Sequence, residues 1–304
     1  MPRKSAPLTW ILGNYKFRRA LGSYIKPSPP MFPDSAKTNG DYQMARFSLA
    51  FAGVSALAIA LPAAAQAQGM APVHGTISGQ YSNLDSGFGD ADARNGDLGV
   101  VYNGGVGLGG QANLGFGSMD FGDFGGDDAD IWGIGGALTY GFDGGKVGAG
   151  VNYQSSDLYG PDFSITNYGV SGEAYIEEIL TVGGRVGGFR GDFSYDGFYI
   201  GGSASVYPMA NLALQGEVEY ADPDTGGDMT SFGIGAEFLP VTGVPVTIGG
   251  GYRNVDAGWP FNEVDVWRIQ LKAYLGTPGN GTLIQNHRNG ALELGSVLGV
   301  IAGN

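Results

Sequence analysis

The sequence predicts an all-β chain folded as a transmembrane antiparallel β-barrel, and three observations carry that expectation. First, residues 131–275 repeat one unit: apolar alternation, a tight turn, apolar alternation, a polar glycine-rich loop. One copy runs Ile134, Leu138, Tyr140, the turn Phe142-Asp143-Gly144-Gly145, then Val147, Ala149, Val151 and Tyr153. Strict period-two alternation gives a strand one apolar face and one small or polar face. Second, the two faces are unequal. One carries Leu, Val, Ile and aromatic residues; the other is mostly Gly, Ser, Thr, Asn and Gln with a few charges. A soluble sandwich packs its apolar faces together, whereas a membrane barrel turns them to lipid, encloses a polar lumen and pairs every edge.

The third observation is an export signal. Met44-Ala45-Arg46-Phe47-Ser48 leads into an apolar stretch, 49–61, and then Pro62-Ala63-Ala64-Ala65-Gln66-Ala67. A basic start, a short apolar core and small residues at −3 and −1 describe a secretory signal peptide, 44–67, cleaved after Ala67. Residues 1–43 hold seven of the sixteen Lys and Arg and the proline-rich segment 26–33, which reads as loop or disorder. We expect translation to begin at Met44, leaving 1–43 as an upstream extension, 68–276 as the barrel and 277–304 as a tail. Residues 68–304 then keep 8 basic and 27 acidic residues, a formal net charge of −19. That balance argues against nucleic acid, whose binding needs Lys and Arg on phosphates. The chain has no cysteine, which suits an exported protein without disulfides.

The elements follow in order. The first strand, 73–83, puts Val73, Ile77 and Tyr81 on one face and His74, Thr76, Ser78 and Gln80 on the other. A polar loop holding Asp85, Asp90, Asp92 and Asp97 is expected next. Alternation from Leu98 to Phe116 is too long for one spanning strand, which needs roughly 9–11 residues. We divide it at Asn103-Gly104-Gly105, a hairpin signal. Further strands are expected near 131–141, 146–154, 165–176, 179–189, 197–207, 211–221, 230–239, 244–253 and 264–275. The total is twelve, or ten if 73–83 lies outside the barrel and 98–116 stays whole. Short turns would face the periplasm and long loops the exterior. Tyr81, Phe116, Trp132, Tyr153, Tyr220 and Tyr252 fall at loop ends on the apolar face, and Tyr140 and Phe238 at turn ends, as aromatic girdles require. Tyr175 and Tyr207 sit at turn ends on the lumen parity. The tail could form a short helix, a plug or an extra strand.

Parity turns eight charged residues inward: Glu173, Arg185, Glu217, Glu219, Glu237, Arg253, Arg268 and Lys272. Acids group on 211–221 and 230–239, bases on 244–253 and 264–275. A charge inside a barrel must be hydrated or paired. Two readings stand: a water-filled pore whose transverse field filters solutes by charge, or ion pairs that brace the lumen. Small inward residues favour the pore, because Gly and Ser cannot fill a twelve-stranded interior. The acidic loops (Asp120, Asp123, Asp127, Asp128, Asp130; Asp222, Asp224, Asp228) match no calcium-loop spacing, so no metal and no cofactor is expected. Glycine runs such as 105–110 lie inside a strand pattern without the lysine or helix of a nucleotide loop. His74 and His287 are the only histidines, and neither has a sequence-evident partner for acyl chemistry, so no enzyme is expected.

Glycine-rich amphipathic hairpins such as 146–153 behind a signal peptide resemble Gram-negative porins and porin-like outer-membrane proteins. The resemblance covers 73–275. It implies a location in the bacterial outer membrane among lipid and lipopolysaccharide, passive diffusion of small hydrophilic solutes, and assembly as a homo-oligomer such as a trimer. The chain is shorter than a sixteen-strand porin, which implies a narrower channel. It also continues past the strand 267–275 that would ordinarily end such a protein. The alternative is a structural or adhesive barrel with a closed lumen and acidic external loops.

Overall fold

The computed structural model describes residues 73–86, 89–102, 106–121, 128–157, 163–192, 195–241, 244–257, 263–276 and 282–295. The upstream extension and the signal peptide lie outside the described residues. Among them twelve strands close one antiparallel barrel: β1 (Val73–Ser86), β2 (Gly89–Tyr102), β3 (Gly107–Asp120), β4 (Ala129–Phe142), β5 (Gly145–Ser156), β6 (Phe163–Ile176), β7 (Leu180–Gly191), β8 (Asp196–Met209), β9 (Leu212–Pro223), β10 (Met229–Phe238), β11 (Val246–Asp256) and β12 (Glu263–Leu275). Each pairs with its sequence neighbours, and β1 pairs with β12 from Gly75↔Leu275 to Ser86↔Val264, so no edge is left open. A short helix, α1 (Leu283–Asn289), follows the last strand.

The strand count is twelve, with 73–83 in the barrel and 98–116 divided as expected. The dividing residues 103–105 themselves lie outside the described residues. The polar loop expected after the first strand is instead strand. β2 begins at Gly89 and pairs with β1 along its whole length, from Val73↔Tyr102 to Ser86↔Gly89. Its first half carries Asp90, Asp92 and Arg94 on the outward face, where lipid-facing alternation would demand apolar residues. Tyr81 and Asn83 donate to Asp92 from that face, at 2.7 and 3.1 Å. Most strands likewise run two or three residues past their expected loop ends. Strands of 12–14 residues exceed the roughly 9–11 that cross a bilayer. The excess projects beyond lipid, so its outer face is polar.

The outer wall bears a continuous apolar belt: Leu108, Leu138 and Ile269 are 66–71% exposed. An exposed apolar surface of this extent fits lipid rather than water. The girdle residues are where parity placed them. Trp132 packs at a tilt against Tyr153, centroids 5.3 Å apart, and Tyr252 likewise against Trp267 at 4.8 Å, while Tyr140 and Phe238 are exposed near the turns. At the turn end, Gly144 takes φ +89° inside the Phe142–Gly145 hairpin, a conformation side chains resist.

The interior changes along its length. Near the loops, two apolar clusters face inward. Ile165, Phe189, Tyr199, Ala221 and Met229 form one; Leu84, Ala93, Met119 and Val266 form the other. Toward the turns the inward face is polar and charged. The expectation of a polar, mixed-charge lumen therefore holds for the middle and, apart from a small apolar cluster around Tyr207, Ala213 and Tyr274, for the turn end.

Candidate functional site

All eight charged residues expected inside the barrel project inward, and the structure gathers them into three groups. In the middle of the lumen Arg185 Nε donates to Glu219 at 2.5 Å, and Glu217 accepts from Arg253, whose Nε lies at 3.2 Å. Arg185 and Arg268 stand 3.8 and 3.9 Å from Glu217. Nearer the turns, Glu237 accepts from Thr247 and Tyr274 at 2.6 and 2.7 Å, with Lys272 3.7 Å away. Glu173 stands apart from both groups, opposite Lys146 in register and hydrogen-bonded by Tyr175 at 3.2 Å.

Inward glycines make the central pairing possible. Arg185 on β7 lies opposite Gly201 on β8, which lies opposite Glu219 on β9. With no side chain between them, acid and base meet across two strand spacings. Glu217 and Arg253 meet across Gly233 in the same way. A Cβ on Gly233 would stand 2.7 Å from Glu217 Oε1. Acids on β9 and β10 and bases on β11 and β12 thus neutralise one another at contact distance. Contacts of this kind are the ion pairs of the lumen-bracing reading.

The tail enters the lumen. Thr282 caps α1 in a reciprocal capping box with Gln285. Leu283 and Ile284 pack on Tyr207, Ala213 and Tyr274 at the turn end. His287 bridges the wall, with Nδ1 3.0 Å from Tyr207 Oη and Nε2 3.1 Å from Glu237. Lys146, 2% exposed, donates to the Gly290 carbonyl at 2.7 Å. Arg288 lies over the Tyr175 ring and donates to the Leu180 carbonyl at 3.2 Å. Beyond the helix the chain climbs the lumen. The Gln111 amide holds Leu292 through both its backbone groups, at 2.7 and 2.8 Å, and Glu293 reaches Arg185 at 2.7 Å. The climb passes over bare backbone on β5: a Cβ on Gly148 or Gly150 would come within 2.8 Å of Leu292 or Leu294. Gly295 ends the described segment against the Tyr199 ring, at the base of a loop-end apolar cluster. Over its described residues, 282–295, the tail is thus both a short helix and an intraluminal segment, and forms no added strand.

The sequence reading missed Lys146, Gln111, His287, Arg288 and Glu293 as partners in this site. Lys146 was within reach of it, since Val147, Ala149 and Val151 point outward and Lys146 must point in. His74 is inward and half-buried, as expected. Among the described residues no group of three or more His, Asp or Glu is placed to hold a metal ion. Asp123 and Asp127 lie outside them.

No family model matches the chain, and no curated protein matches it in sequence. Among solved structures, an outer membrane channel from Pseudomonas putida F1 superposes with a TM-score of 0.50 at 14% identity, over 68% of this chain and 96% of that one. The KdgM porin gives 0.49 at 11% identity, over 65% and 98%. The translocator domain of autotransporter NalP from Neisseria meningitidis gives 0.44 at 13% identity, over 79% and 99%. The shared property is the fold, that of the outer-membrane porin-like barrels.

Proposed function

We propose that this protein is an outer-membrane channel for small hydrophilic solutes, closed in the described state by its own C-terminal segment. One observation carries the reading. The segment 282–295 is held mostly by hydrogen bonds and ion pairs, over a floor of inward glycines, and leaves a cavity of about 220 Å³ beside it. A permanently solid barrel would fill its core with bulky side chains. The segment's hydrogen bonds exchange for water at small net cost, about 1 kcal/mol each, while buried Leu283, Ile284 and Leu292 weight the equilibrium toward the closed state. Export by the signal 44–67, residence among outer-membrane lipid and lipopolysaccharide, and assembly as a homo-oligomer belong to the same proposal. No catalytic role is proposed.

A second reading, a closed structural barrel, is favoured by the two apolar clusters at the loop end. Single-channel recording in planar bilayers separates the two. We expect residues 68–304 to show rare conductance steps, and the chain ending at Gly276 to show frequent ones, with open probability raised about tenfold for each ~1.4 kcal/mol of lost docking. A folded tail-less barrel that stays silent would establish the closed reading. In the open state Glu217→Gln should leave Arg253 in excess and shift selectivity toward anions. Arg253→Gln should shift it toward cations.

A further inference from the structure

We propose that the cavity between α1 and the barrel wall is a binding site for a small zwitterionic solute of amino-acid size. This rests on reading the lumen as a solute path, and it names the class of solute.

Asn286 points to the site. It is 2% exposed, it lines the cavity, and neither its side-chain oxygen nor its nitrogen has a hydrogen-bond partner. A buried amide left unsatisfied is costly, because it has given up water and gained nothing in return. α1 faces the barrel interior here, and a Leu in place of Asn286 would serve the helix better if packing were the purpose. The amide offers one acceptor and two donors at one point. Its complement is a molecule presenting a donor and an acceptor side by side.

The wall defines the charge of that molecule. On one side Lys272 and Arg268, the latter 3.9 Å from Glu217, which also lines the cavity, project from β12. Each is a quarter exposed, and Lys272 Nζ stands 3.7 Å from Glu237, beyond hydrogen-bond distance. On the other, Glu293 and Glu173 line it, and the Glu293 side chain is 67% exposed. A carboxylate is drawn to the first set and an ammonium to the second. A solute with one charge only would satisfy one set and meet like charge at the other, which costs affinity. In an amino acid both groups branch from one carbon. Once the buried Asn286 side chain turns toward the cavity, Nδ2 can donate to the carboxylate while Oδ1 accepts from the ammonium. The cavity, about 220 Å³, has room for one such solute.

Titration calorimetry on the full mature chain in detergent tests this without any need for conduction. Four probes of similar size would be used: L-glutamine, glutarate, putrescine and erythritol. We expect L-glutamine to bind at least about tenfold, or ~1.4 kcal/mol, tighter than any of the other three. Asn286→Leu should abolish that preference without lowering the unfolding temperature, since it removes two orphaned groups. Equal binding of all four probes, or none by L-glutamine, would overturn the proposal; so would a preference that survives in Asn286→Leu. Should that variant fail to fold, the wild-type probe series alone decides. A barrel that conducts but shows no L-glutamine preference sinks this site and leaves the channel reading intact. One that binds L-glutamine but stays silent with its tail deleted sinks the channel reading instead.

Discussion

The two ends of the interior are built from the same strands by opposite means. On β7, Phe189 and Arg185 point inward four residues apart. Phe189 lies in a dry cluster with Ile165, Tyr199, Ala221 and Met229, and Arg185 lies in a network of carboxylates. On β12, Val266 and Lys272 show the same change. Alternation decides only which side chains point inward. What the interior does is decided by how their chemistry changes along each strand. The loop end derives its order from apolar contact that nothing in the lumen can replace. The turn end derives it from a segment of chain held by many polar contacts that water could replace, and by one small apolar cluster around Leu283 and Ile284.

The largest effect should come from the dry end. Phe189→Ala removes a ring that is 1% exposed, and cavity formation at such sites costs about 3–5 kcal/mol. We expect that loss in urea unfolding monitored by gel mobility, with no increase in trypsin cleavage after Arg288. Cleavage that rises in step with the lost stability would show that the two ends are one cooperative unit and end the contrast. Glu237→Ala should cost slightly less, about 3 kcal/mol, because it strands Thr247 and Tyr274 and removes the acceptor facing His287 and Lys272. Its distinguishing effect is on the tail: cleavage after Arg288 should increase several-fold under conditions where the barrel remains folded. If the tail stays protected, His287 is not a principal anchor.

Much of this was readable in advance because period-two patterning survives wherever a strand meets lipid. All twelve strands, the girdle aromatics and the inward direction of Arg185, Glu217 and their companions follow from it. Patterning fails where the outer face leaves the bilayer. Asp90, Asp92 and Arg94 look like a loop because a strand in water has no apolar face to display. It fails again for pairing. That Arg185 meets Glu219 depends on strand register and on Gly201 having no side chain, and parity along a single strand contains neither fact. The tail was obscure for a related reason. Its partners Lys146, Gln111 and Glu237 lie on three different strands, and only barrel closure brings them to one place.

The smallest expected effect isolates the seat of the tail from the charges that hold it. Gly148 faces inward on β5, and a side chain there would occupy the space of Leu292, whose own exposure is 2%. Gly148→Val leaves every ion pair and the whole apolar loop end unchanged. The Leu292 Cδ1 atom is the far end of a flexible side chain, but Thr139 and the Leu138 carbonyl crowd the same position at about 3 Å. The tail must therefore yield, at a cost of roughly 1–3 kcal/mol of docking energy. Charged to the tail alone, that cost should raise open probability while the unfolding midpoint of the barrel stays within experimental error. A midpoint that falls while open probability does not would mean that the glycine floor serves strand packing, and that the segment above it is part of the core.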